Sequence, residues 1–123
     1  MADEVIQRRG VPVLVCDPVG PPIAGAQDAL DVIGAAFGRA DVVAVPATRF
    51  DEGFFQLRSG VAGEIMQKFV NYRMRLAVVG DIAAHVDASS ALRDLVTESN
   101  RGRHIWFIDD LAAIDAHLGS GAC

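Results

Sequence analysis

The stretch RSGVAGEIMQKFVNYR, residues 58–73, spaces Glu64, Gln67, Lys68 and Asn71 at intervals of three and four. In a helix each residue advances about 100°, so the four form one polar stripe. A carboxylate beside amides and an ammonium offers two chemistries. Glu64 can move a proton if burial raises its pKa, or the stripe can give polar specificity to a docking face. The plainer alternative is a solvated surface, on which an i,i+4 Glu64–Lys68 pair contributes only about 0.2–0.5 kcal/mol. A second set of candidates is Asp81, in the exit of an apolar run, with Glu98, Asn100 and Arg101 in TESNRGR, residues 97–103. If these converge with the stripe at the carboxyl ends of parallel strands, they line the usual ligand crevice of an open α/β sheet. Glu64, Asp81 or Glu98 is then the acid or base of a small-molecule pocket or small enzyme. The structural alternative has Arg101 and Arg103 complementing a helix dipole, with Gly102 left-handed.

Ser59 directly precedes the stripe. It reads either as a helix N-cap or as a phosphate site, bound or covalently modified, with Arg58 and Arg49 as partners. Gly60 and Gly63 border the polar side, although glycine costs about 0.8–1.0 kcal/mol in a helix relative to alanine. They serve close approach of another backbone or internal packing. Phe54 and Phe55 are adjacent. In an extended segment their rings diverge and an exposed one marks a partner surface; in a helical turn both can be buried.

Other chemistry is absent. There is no Walker loop, G-x-G-x-x-G, G-x-S-x-G or H-E-x-x-H. His85, His104 and His117 lack ligand spacing, and Cys16 and Cys123 suggest neither a metal site nor a disulfide framework. Cys16 reads as a buried small hydrophobe and Cys123 as a frayed end. No metal and no cofactor are expected. The net charge of −5 argues against nucleic acid or an anionic membrane as the main partner. No signal peptide or membrane span is read, so the expected compartment is cytoplasmic.

The elements that position these residues follow from patterning. At 123 residues, 51% of them hydrophobic, the chain fits one domain with its own core. Strands are expected over 4–9 and 11–16, meeting at Gly10, then over 41–46, 74–80 and 104–109. Helices are expected over 24–37, stopping at Gly38, and over 60–72, 89–100 and 110–118. Residues 47–58 are read as a long connection, 82–89 as loop and GSGAC as a tail. Val61, Ala62, Ile65, Met66, Phe69, Val70 and Tyr72 give the 60–72 helix a broad apolar arc. That arc predicts a deeply set helix whose stripe lies in a narrow slot. The order β-β-α-β-α-β-α-β-α predicts an α/β fold: a mixed five-stranded sheet, opened by an antiparallel hairpin and covered by helices.

The segments FFQLRSGVAGEIMQKFVNYRMRLAVVGD and SALRDLVTESNRGRHIWFI resemble a bacterial family known only as a domain of unknown function. The shared pattern is a double phenylalanine, Ser/Thr-Gly, an AGE…QKF-NY helix, a strand ending Gly-Asp, and a late E-S-N-R-G. It spans essentially residues 12–118 and implies no activity. The element order is also similar to the STAS domain, whose central-helix serine is phosphorylated to control partner binding. Ser59-Gly60 occupies the corresponding place, although Leu57 and Arg58 precede it where STAS sites usually read D-S-(S/T)-G. The resemblance implies a STAS-like regulatory or protein-interaction module without catalysis, Ser59 being the switch. A protein partner or a second copy, as a homodimer, is expected; a small molecule is the alternative.

Overall fold

The computed structural model describes residues 3–119. β1 (Glu4–Arg8) and β2 (Val11–Val15) form an antiparallel hairpin in which Arg8 faces Val11. The two loop residues, Arg9 and Gly10, have φ of 52° and 79°. This is the mirror-image turn that matches strand twist. Arg9 there adopts a left-handed conformation costing about 1–2 kcal/mol, which glycine would avoid.

The remaining strands, β3 (Val42–Pro46), β4 (Arg75–Val79) and β5 (Ile105–Ile108), join β2 in parallel, so the sheet order is β1-β2-β3-β4-β5. Each crossover steps the same way. Right-handed connections therefore place α1 (Ala26–Ala36), α3 (Val61–Asn71) and α5 (Ser90–Arg101) on one face. On that front face Ile33, Ile65, Phe69 and Leu92 pack with Leu14, Val43, Leu76 and Phe107. The strand residues between these point backward: Val13, Val42, Ala77 and Trp106 are met by Ile114 and Leu118 of α6 (Ile114–Gly119). Burial on both sides explains the near-continuous apolar strand sequences. Arg8 anchors α6 to the hairpin through a forked bond to Asp115, at 3.0 and 2.8 Å.

Four sequence expectations change or are narrowed. Residues 82–89 are not loop: α4 (Ala83–Ala88) forms there, with Asp81 Oδ1 accepting from the Ala83 N–H at 2.9 Å. The 47–58 connection has elements of its own, among them the helical turn: a 3-10 turn (Ala47–Arg49), α2 (Glu52–Phe55) and a second 3-10 turn (Leu57–Ser59). Gly102 is extended rather than left-handed, at φ −91° and ψ −168°. The apolar arc of α3 buries only Ala62, Ile65 and Phe69, leaving Val70 and Tyr72 40% and 50% exposed. Cys16 is buried as read, and desolvation pushes its thiol up to about 12. The expectations for Cys123 and residues 120–123 lie outside the described residues. Among the described residues no helix is long and apolar enough to cross a membrane.

Candidate functional site

The stripe of α3 is real, but it lies on open surface and not in a slot. Glu64, Gln67 and Asn71 are exposed and Lys68 is half-buried. Gln67 donates to Asn71 at 2.8 Å. Glu64 and Lys68 form no ion pair among the described residues. The N-cap of α3 is Gly60, not Ser59; its φ of 80° requires a left-handed residue, which accounts for glycine there. A Cβ on Gly63 would meet nothing within 4 Å, so internal packing does not explain that glycine.

Ser59 is exposed, and its hydroxyl joins two helices. It donates to the Gly53 carbonyl in α2 at 2.7 Å and accepts from the Val61 N–H of α3 at 3.2 Å. Arg49 is not free to partner an anion at Ser59. It donates to the Asp17 and Pro21 carbonyls, at 2.8 and 3.1 Å, and pins the 17–22 loop.

Phe54 and Phe55 are both buried, the helical-turn alternative. α2 is a helical turn, begun by Asp51 accepting from the Gly53 N–H, and it buries both rings. Phe54 stacks on Phe50 at 4.3 Å and meets Phe55 edge-on at 5.1 Å. Phe55 in turn stacks on His85 of α4 at 4.1 Å. That stack borders a cavity of about 660 Å³ between α2, α4 and the start of α5, with Glu52 and Arg58 at its edge.

The second cluster does not join the first. Asp81 follows the carboxyl end of β4 and lines a shallow cavity of about 250 Å³ with Asp87 and Asp109. Arg101 and Asn100 line a different one, beside Arg75 at the amino end of β4. α5 runs antiparallel to the strands, so its last turn sits at the wrong end of the sheet. The shared acid–base pocket expected from Glu64, Asp81, Glu98 and Arg101 does not form. Asn100 has a structural job: its amide accepts from the Phe107 N–H at 2.7 Å and donates to the Phe107 carbonyl at 3.1 Å. It thereby occupies the open edge of β5. Glu98 and Arg101 form a loose, exposed pair at 3.7 Å.

Two features had no signal in the spacing. One is an apolar groove of about 410 Å³ between the carboxyl ends of α1 and α3, lined by Leu30, Ile33, Gly34, Phe37 and Tyr72. Phe37, just past α1, is 66% exposed although it lies four residues after the buried Ile33. The other is a cleft of about 570 Å³ at the amino ends of the parallel strands. Arg9, Arg75, Arg101 and Arg103 converge there from three places in the chain. The indole of Trp106, buried, forms part of the cleft and donates to the Gly102 carbonyl at 2.9 Å. His117 of α6 stacks on Trp106 at 5.0 Å, and burial lowers its pKa below the ordinary 6.5. Among the described residues no cluster of three or more His, Cys, Asp or Glu could hold a metal ion.

Residues 8–118 match a family model described as a domain of unknown function. No curated protein and no solved structure matches the chain.

Proposed function

Because the chain belongs to this family, DUF4180, for which no activity is given, we propose from its geometry that it is a protein-docking module whose first partner is a second copy of itself. One observation carries the reading. Phe37 projects from the rim of the α1–α3 groove, with Tyr72 beside it. Scattered exposed hydrophobes need no explanation, but a contiguous patch around a groove does. A knob and a hole on one patch are self-complementary: about a two-fold axis, each Phe37 enters the other copy's groove. A Cβ on Gly34 would meet nothing within 4 Å, which leaves the groove open to a ring.

The test is the mass of the native chain by sedimentation. A dimer is expected, with a dissociation constant on the order of micromolar. Phe37→Asp should return it to monomer with an unchanged circular dichroism spectrum. A wild-type monomer at high concentration, or a dimer indifferent to Phe37→Asp, ends the proposal.

Regulation at Ser59, as in the STAS resemblance, has its own support in the exposed hydroxyl that spans α2 and α3. A phosphoryl group there removes the donor to Gly53 and places a dianion at the start of an eleven-residue helix. Ser59→Ala and Ser59→Asp, compared in a pull-down from the native host, should capture different amounts of a partner. Equal capture by both and by wild type removes the switch.

A further inference from the structure

We propose that the arginine cleft at the amino ends of the parallel strands binds a small ligand carrying two or more phosphate or carboxylate groups. Four of the chain's 11 Lys and Arg residues line this one concavity, in a molecule of net charge −5. Among the described residues no carboxylate lines it. Asp115 is held by Arg8, and Glu98 pairs loosely with Arg101 in solvent. Asp41, whose carbonyl accepts from the Arg75 N–H at 3.2 Å, is not part of the lining. Among the described residues Arg9, Arg75 and Arg103 pair with no acid.

The dipole of α5 accounts for Arg101 and Arg103 at its carboxyl end. It does not account for Arg9, in the hairpin turn, or Arg75, at the start of β4. Guanidiniums gathered without counter-charge repel one another, and an oxyanion that accepts from several of them relieves this. Arg75 sits over the Trp106 ring at 6.0 Å, which restrains its planar fork before a ligand arrives. The cleft falls within the ordinary size range of small-molecule sites. The surrounding acidic surface disfavours a long polyanion, whereas a compact one confined to the cleft meets mainly the arginines.

Trp106 is the chain's one tryptophan, so its fluorescence reports on this cleft without a label. The full chain is titrated with sodium pyrophosphate and, separately, with sodium chloride at matched ionic strength; calorimetry gives the affinity. Saturable binding of pyrophosphate alone is expected. The double variant Arg9→Gln/Arg75→Gln, and independently Arg103→Gln, should weaken it by about tenfold or more. Arg39→Gln, between α1 and β3 and outside the lining, should not. A response equal to that of chloride, or undiminished affinity in both cleft variants, overturns the proposal. Tighter binding of a single-stranded oligonucleotide than of pyrophosphate would overturn the small-ligand assignment.

Discussion

The two faces of the sheet are built with unequal material. The front meets three helices of 11, 11 and 12 residues, with the Phe50–Phe54–Phe55 cluster wedged among them. Among the described residues the back meets α6, six residues long, whose Ile114 and Leu118 cover Val13, Val42, Ala77 and Trp106. Front-face packing is shared among many elements, so no single helix holds it. Back-face packing depends on Ile114 and Leu118, on the half-buried Leu111 and Ala113 beside them, and on one ion pair. That contrast predicts where the molecule opens first: α6 should detach locally while the front remains intact.

The largest expected effect tests the front. Phe54 is fully buried against three other rings, and Phe54→Ala should cost about 3–5 kcal/mol of unfolding free energy, measured in urea. Ile114→Ala should cost about 2–5 kcal/mol, but its signature should be local. Hydrogen exchange should speed first in α6 and at back-facing strand positions; a rise spread evenly over the sheet would erase the contrast between faces. Asn100→Ala comes next, at about 1–3 kcal/mol, because it leaves the Phe107 N–H and carbonyl without their side-chain partner. The Phe107 amide should exchange faster, and unchanged protection there would show that Asn100 does not seal the edge.

The smallest effect is a pH dependence of the back face. The folded chain holds His117 below 6.5, so it resists protonation more than the unfolded chain does. Below 6.5 the unfolded state binds the extra proton, and stability falls as pH drops; above that value the term vanishes. Urea midpoints at about pH 7.5 and about pH 5.5 should differ more in wild type than in His117→Gln. An equal difference in both would assign the effect elsewhere.

The strands and long helices were legible because each had a length over which its period could be seen. Apolar runs at 11–16, 41–46, 74–80 and 104–109 gave all of β2 to β5, and the alternating order gave the mixed sheet. α2 and α4 were missed as helices because four and six residues are too few to show a 3.6-residue period. Their local marks are Asp51, which caps α2, and Asp81, which accepts from the first N–H of α4 and which spacing alone offers to chemistry. The stripe of α3 was read correctly as a line of residues and wrongly as a slot. Period reports which residues share a side, not how far neighbouring elements rise around them. The arginine cleft was invisible for a different reason. Arg9, Arg75, Arg101 and Arg103 meet only after the hairpin, β4 and α5 have been placed, and no spacing between them is constrained by a single element.

The position of α6 along the chain carries a consequence for folding. Every strand precedes it, so a chain that has assembled the sheet and its three long helices still lacks the cover for Val13, Val42, Ala77 and Trp106. Until residues 114–118 dock, that greasy plane is open to chaperones and to other copies.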